Sequence, residues 1–375
     1  MKNRKKIRIA ILFGGRSGEH EVSLQSAASV LSAIDRKKYD VLPIGITKEG
    51  RWIAGPALAA PNAEQLAAVL RQGVPVSTSV DPGTRSLIPV DSSSRARPKF
   101  AGKIDVAFPL LHGTFGEDGT VQGFLDLAGI PYVGAGVLAS AAGMDKDIMK
   151  RLFRDAGIPV VPWITVLRKD WQTNPNGMRQ RAQREIGYPA FVKPANLGSS
   201  VGISKARNAR ELSRALRLAA RYDRKILIEK GVNAREIECA VLGNDQPEAS
   251  VPGEIVPVNE FYDYEAKYIR EGSKTLIPAP LTTRQTSRVQ ELAIQAFKAI
   301  DCGGMARVDF LLDRTTGRLF VNEINTIPGF TSISMYPKLW DASGVPFRRL
   351  LDRLIRLALD HHAEKSRTEY EYAGR

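Results

Sequence analysis

Along residues 7–140, short apolar runs alternate with stretches in which apolar residues recur every three or four positions. Residues 7–13, 39–46 and 104–111 read as strands, and 22–34 and 121–127 as helices. That alternation favours a parallel sheet with helices on its faces. Between 55 and 100 the pattern dissolves into Pro, Ser, Ala and Gly, apart from a helix at 63–71, so this stretch reads as a surface insertion. A second unit begins near Met144 with a helix through Ala156. It continues with a strand at 160–166, a helix at 178–186, a strand at 189–193, a glycine-rich turn, a helix at 209–222 and a strand at 226–229. The third unit carries strands at 236–242 and 253–257, an irregular polar stretch at 259–273, helices at 283–300 and 347–361, and a hairpin between those helices. Thr282 and Gln285 form a capping box for the first of these helices. The expected domains are therefore 1–143, 144–231 and 232–375, with no internal repeat.

The hairpin carries the strongest chemical signal. Two apolar runs, Met305-Ala-Arg-Val-Asp-Phe-Leu-Leu312 and Leu319-Phe-Val-Asn-Glu-Ile-Asn325, flank Thr315-Thr316-Gly317. Alternation sends Arg307 and Asp309 to one face of their strand, and Glu323 and Asn325 to one face of theirs. Three oxygen ligands and one cation then converge. Hard oxygen ligands suit Mg²⁺, which uses one or two carboxylates, retains water and takes further ligands from nucleotide phosphates. Any one of these residues alone would be read as part of a solvated strand face.

Composition narrows the possibilities. The 375 residues are 43% hydrophobic and 25% charged, ordinary globular values. A formal charge of +14 invites a nucleic-acid reading. Yet the basic residues of 205–225 and Arg348, Arg349, Arg353 and Arg356 alternate with apolar residues at helical spacing, the pattern of solvated helix faces. Attraction of anionic nucleotides is the milder expectation, without nucleic-acid binding. Cys239 and Cys302 fit neither zinc nor redox spacing and read as reduced thiols in a cytoplasmic protein. The apolar run 7–13 is too short for a signal peptide and ends at Gly14-Gly15-Arg16. No stretch approaches the ~20 apolar residues needed to span a bilayer.

Three further segments suggest binding. Residues 14–23, Gly-Gly-Arg-Ser-Gly-Glu-His-Glu-Val-Ser, follow a strand and open a helix, but they lack Gly-x-Gly-x-x-Gly spacing. Glu19 and Glu21 would repel a pyrophosphate, so Glu19 is better suited to an ammonium group and Glu21 to a helix N-terminus. Residues 196–202, Asn-Leu-Gly-Ser-Ser-Val-Gly, follow Lys193, and their amides and hydroxyls, including those of Ser199 and Ser200, can donate to phosphate. The segment 226–232 can read an adenine edge through its main chain, with Glu236 accepting from ribose. The aromatic, aperiodic stretch 261–268 fits a lid that excludes water. His112, after a strand, is a substrate-pocket candidate, whereas His361 and His362 end a helix.

Together these motifs closely resemble the D-alanine–D-alanine ligases of the ATP-grasp superfamily. The match runs from residues 14–23 through Leu111-His-Gly, Gly116-Glu-Asp-Gly, Met144-Asp-Lys146 and Gly198-Ser-Ser-Val-Gly202. It continues through Tyr262-Asp-Tyr-Glu-Ala-Lys-Tyr268, Asn322-Glu-Ile-Asn-Thr-Ile-Pro-Gly329 and Thr331-Ser-Ile-Ser334. The resemblance implies a three-domain α/β fold in which an N-terminal Rossmann-like domain precedes two ATP-grasp lobes, with a lid at 259–275. It implies that ATP phosphorylates one D-alanine, whose acyl phosphate is attacked by the amine of a second. Two Mg²⁺ or Mn²⁺ ions would be held by Asp309, Glu323 and Asn325. Arg307 and the Gly329 N–H would stabilise the oxyanion. Lys146, Lys193, Ser199, Ser200, Lys267, Asn322 and Glu323 would contact phosphates, and Glu229, Lys230, Val232 and Glu236 would form the adenosine pocket. Glu19 would bind the first ammonium and connect through Ser199 to Tyr268. His112 would lie beside that substrate, and Ser334 with the Met335 backbone would receive the second carboxylate. Tyr268 favours dipeptide over D-alanyl-D-lactate, and the family habit is a homodimer.

Overall fold

The computed structural model describes residues 5–79, 81–90, 103–256 and 274–370. Lys267, Tyr268 and nearly all of the expected lid lie outside these residues. Among the described residues the chain is organised by three sheets. The first contains β1 (Ile7–Gly14), β2 (Tyr39–Ile46), β3 (Trp52–Ala54), β4 (Val74–Thr78), β5 (Leu87–Pro89) and β6 (Val106–Pro109), in the order β5-β4-β3-β2-β1-β6. β1 is parallel to β2 and β6, as the alternating pattern requires. The run β2-β3-β4-β5 is antiparallel, so the expected all-parallel sheet is in fact mixed.

The expectation of a surface insertion at 55–100 is corrected by the same strands, because residues 74–78 and 87–89 extend the sheet edge. They are short; Pro89 lies on the outermost strand, where a missing N–H is tolerated, and Pro75 stands near the start of β4. Helices α1 (His20–Ala33), α2 (Ala63–Gln72) and α3 (Thr120–Leu127) accompany this sheet. Leu24, Ala27, Val30 and Leu31 of α1 are buried against Ile9, Ile11 and Phe13 of β1.

The expected helix near Met144–Ala156 is α5 (Lys146–Asp155), and a helix not read from the sequence, α4 (Val137–Met144), runs directly into it. The break is a cap: the Asp145 side chain accepts the N–H groups of Asp147 and Ile148. The second sheet is antiparallel, with β7 (Trp163–Leu167), β8 (Ala190–Pro194), β9 (Ser204–Ala206) and β10 (Lys225–Lys230) in the order β7-β10-β8-β9. Helices α6 (Arg168–Thr173), α7 (Pro175–Glu185) and α8 (Ala209–Tyr222) complete this unit. Leu212, Ala215, Leu216 and Ala219 of α8 share a buried cluster with Ile226 and Ile228. This spacing leaves the arginines of α8 facing solvent, the arrangement expected of its basic face.

The third sheet comprises β11 (Ala234–Gly243), β12 (Glu248–Ala249), β13 (Gly253–Val256), β14 (Lys274–Leu276), β15 (Gly304–Asp313) and β16 (Leu319–Asn325). Its order is β14-β13-β11-β15-β16, with β12 beside β11. Helix α9 (Thr283–Ala299) starts at the expected Thr282–Gln285 capping box. α10 (Met335–Ala342), which periodicity missed, precedes α11 (Phe347–Lys365). Phe330, in the turn after β16, packs edge-on against Phe108 of the first sheet, with ring centroids 5.7 Å apart. A shared core thus seats the 326–330 turn on the N-terminal unit.

Candidate active site

The hairpin β15–β16 has the anticipated register. Arg307 pairs opposite Asn325, and Asp309 opposite Glu323, with an irregularity just beyond Asp309. All four are partly exposed while Val308, Phe310 and Ile324 between them are buried, so the polar residues share one face. Arg307 grips Asp309 with two hydrogen bonds of 2.7 Å. Glu238 of β11, which the sequence reading did not single out, approaches Arg307 at 3.0 Å. Burial alone would lower the Arg307 pKa, but Asp309 and Glu238 outweigh it and raise it well above the ordinary value. Arg307 is therefore a fixed cation.

Cations from the second unit face this hairpin. Lys146, at the start of α5, lies 3.8 Å from Glu323 and donates to the Leu197 carbonyl at 2.7 Å. Lys193 of β8 donates to Asn322 at 3.3 Å and pairs with Glu229 of β10 at 2.8 Å. Lys150, also missed in the sequence, is fully buried 3.4 Å from the other Glu229 oxygen. Burial works against ionisation of Glu229, yet the two lysines prevail and hold its carboxyl below the usual range. The lysines commit the Glu229 side chain, and its main chain is paired within the sheet, opposite Phe191 and Trp163. Exposed Lys230 and half-buried Val232 and Glu236 follow it at the end of β10 and the start of β11.

Across the cleft, Glu19 is the N-cap residue of α1 and accepts a hydrogen bond from the Ser199 hydroxyl. The contact joins the first loop to the glycine-rich turn, 180 residues later. Ser199 and Ser200 both adopt left-handed backbone, φ 50° and 59°, an uncommon conformation for serine and one that concentrates at functional sites. A Cβ on Gly113 would lie 2.7 Å from Glu19 Oε2, so glycine there makes room for the carboxylate. Glu117, not anticipated, is buried beside this group and accepts the Gly113 N–H at 2.7 Å. Burial, reinforced by the charge of Glu19, pushes its carboxyl up to about 8. Glu21 takes the helix-terminal role expected of it, exposed and paired with Lys48.

His112 is buried with both ring nitrogens engaged, one at 3.0 Å from the Ile327 carbonyl and the other at 2.9 Å from Ser26 Oγ. Desolvation lowers its pKa, and Glu19 only partly restores it. Ser334 is the N-cap of α10, and its hydroxyl accepts the Thr331 N–H at 3.0 Å. A Cβ on Gly329 would stand 2.7 Å from Ser334 Oγ, so these two positions are in close approach. Met335, buried, opens the helix beside them.

Comparison with known proteins agrees along nearly the whole chain. Residues 8–135 match the D-Ala D-Ala ligase N-terminus family and residues 152–356 the D-Ala D-Ala ligase C-terminus family. The chain is 50% identical over 370 residues to a D-alanine–D-alanine ligase of Heliobacterium modesticaldum, covering 97% of both chains. The chain belongs to the D-alanine–D-alanine ligase family. Among solved structures, the ligase from Coxiella burnetii is similar with a TM-score of 0.83 and 40% identity, covering 96% of each chain. The VanG D-Ala:D-Ser ligase from Enterococcus faecalis also has a TM-score of 0.83, with 37% identity over 94% of this chain and 100% of its own. These relatives support the three-domain ATP-grasp fold and an ATP-dependent ligase. Among the described residues no helix is long and apolar enough to cross a membrane.

The divalent metal typical of the family can be weighed against the ligase's own donors. Among the described residues no three His, Cys, Asp or Glu side chains form a ready-made cage. Two carboxylates and an amide on one hairpin face nevertheless suit an ion that completes its shell with water and phosphate oxygens. Lys146 and Arg307 occupy the neighbourhood with positive charge, which shows that this face balances cations. The donor set fits.

Proposed function

We propose that the enzyme joins two D-alanines in the cytoplasm, as a homodimer, for the peptidoglycan precursor, using ATP and two Mg²⁺ or Mn²⁺ ions. The domains are 1–143, 144–231 and 232–375. The observation that carries the reading is that Lys146 approaches Glu323 and Lys193 approaches Asn322 on the hairpin that also carries Asp309 and Asn325, an arrangement that accepts a polyphosphate between two lobes. Asp309, Glu323 and Asn325 would hold the ions, whose chemistry is to neutralise charge on the transferring phosphoryl group.

The first D-alanine ammonium sits at Glu19, which Ser199 orients. Its carboxylate oxygen attacks the γ-phosphorus, the bond to the ADP oxygen breaks, and an acyl phosphate forms. Lys146 and Lys193 hold the phosphates as point charges. The second D-alanine places its carboxylate at Ser334 and the Met335 N–H, where the N-terminus of α10 favours an anion. Its neutral amine adds to the acyl carbon. Arg307 and the Gly329 N–H take the oxyanion that develops, and its collapse breaks the bond to phosphate, which departs as hydrogen phosphate with the proton the amine sheds and leaves the dipeptide. Ser200, Asn322 and Lys267 complete the phosphate contacts, while Glu229, Lys230, Val232 and Glu236 border the adenosine. Tyr268 and the 259–275 lid exclude water from the acyl phosphate.

Phosphate release is to be measured with ATP, Mg²⁺ and D-alanine, followed by chromatography of products when D-serine or D-lactate is added. D-alanyl-D-alanine should dominate. Phosphate release only when D-lactate or D-serine accompanies D-alanine would replace the reading with a depsipeptide or D-Ala:D-Ser ligase.

A further inference from the structure

Two hydrogen bonds bracket Gly329. On one side, His112 engages the Ile327 carbonyl at 3.0 Å; on the other, the Phe330 N–H donates to Ser26 Oγ at 3.3 Å. Ser26 and His112 are themselves joined, Oγ to Nε2, at 2.9 Å. Direction is fixed along this path. A carbonyl only accepts, so Nδ1 carries the proton. In the neutral ring Nε2 then accepts, and Ser26 must donate to it while accepting from Phe330. Ser26 is completely buried in α1 and His112 is 5% exposed, so water does not substitute for either link. Neither ring nitrogen is left for a ligand. The Ser17 hydroxyl donates to the His112 carbonyl at 2.6 Å, which ties the residue's main chain to the loop that carries Glu19.

We propose that Ser26 and His112 are positioning residues that hold the 327–330 turn so that the Gly329 N–H meets the oxyanion. The inference rests on the role assigned to Gly329 above. An N–H aimed at charge present only in the transition state affects kcat rather than substrate affinity. The N-terminal unit thereby supplies part of the alignment of a donor carried by the third unit, through side chains that touch no reacting atom.

The test uses the full-length enzyme with Ser26→Ala, His112→Asn and His112→Gln. Loss of an oxyanion donor typically costs ~10²–10³ in rate, so misaiming one in Ser26→Ala is expected to lower kcat about 10–100-fold. KM for ATP and both D-alanines should stay within about threefold. Asn can reproduce the Nδ1–H donor to Ile327, whereas Gln places its amide nearer the Nε2 position, so His112→Asn should retain more kcat than His112→Gln. Affinity for a phosphinic-acid analogue of the tetrahedral intermediate should fall in parallel with kcat, with ADP affinity unchanged. A raised KM for one D-alanine at unchanged kcat would show direct substrate contact and overturn the inference. Unchanged kcat and phosphinate affinity would overturn it while leaving the Gly329 role standing. A kcat loss without any loss of phosphinate affinity would remove the Gly329 role and the inference together. If Ser26→Ala does not fold, the His112 pair decides.

Discussion

Replacing Glu229 by Gln strands two ammonium groups in the interior of the second unit. Glu229 has a side chain only 3% exposed, with Lys193 at 2.8 Å and Lys150 at 3.4 Å. At an effective dielectric of ~20, such separations correspond to about 6 and about 5 kcal/mol of attraction, which offset the desolvation of all three groups. Removing one partner of a buried pair typically costs ~3–5 kcal/mol, because the remaining charge stays buried. A chain of 375 residues has an unfolding entropy of about 0.8 kcal/mol/K, so the melting temperature should fall by roughly 4–6 °C. Adding Lys150→Met removes the more deeply buried surplus cation and fills its space with an apolar chain of similar length. The double variant should regain more than half of the loss. Differential scanning calorimetry at pH 7 without nucleotide measures both. A Glu229→Gln melt within 1 °C of wild type, or a double variant less stable than the single, would refute the reasoning.

Glu19→Gln removes the charge assigned to the first ammonium. A hydrogen bond to a charged group is worth ~1.5–3 kcal/mol, so KM for the first D-alanine should rise roughly 10–100-fold with ATP affinity unchanged. Initial-rate kinetics decide this, and an unaltered KM would place the ammonium elsewhere. Glu323→Gln should weaken Mn²⁺ binding, followed by electron paramagnetic resonance, and nearly abolish turnover while circular dichroism stays native; full activity at ordinary Mg²⁺ would reject the ligand role. Glu117 has a folded pKa of about 8, above its unfolded value, so the native state binds more protons between about 4.5 and 8. Its favourable contribution is complete below 4.5 and is lost as pH rises through 8. Urea midpoints across this window should therefore decline less steeply in Glu117→Gln than in wild type, and parallel slopes would contradict the shift.

The sequence disclosed those parts whose physics is local. The hairpin register follows from alternation about Thr315-Thr316-Gly317, and the start of α9 follows from one Thr and one Gln three residues apart. The edge strands at 74–78 and 87–89 were illegible because a short strand containing proline carries little periodic signal, and pairing with a neighbour far from it in sequence supplies most of its stability. Partners far apart in sequence were also hidden. Lys150 stands one helical turn after Lys146, a spacing that could have flagged a second inward lysine, and Glu238 is the last of three charged residues before the apolar half of its strand. Nothing local links Ser26 to His112 or to Phe330, since only tertiary packing brings α1 against the turn after β16.

The central claim is that one face of a single hairpin grips divalent ions against nucleotide phosphates. A crystal structure with ADP and Mn²⁺, with manganese located by anomalous scattering, tests it most directly. The account predicts manganese bound by Asp309, Glu323 and Asn325, with phosphate oxygens and Lys193 alongside. Manganese absent from those three side chains, with the phosphates bound away from Lys146 and Lys193, would contradict it.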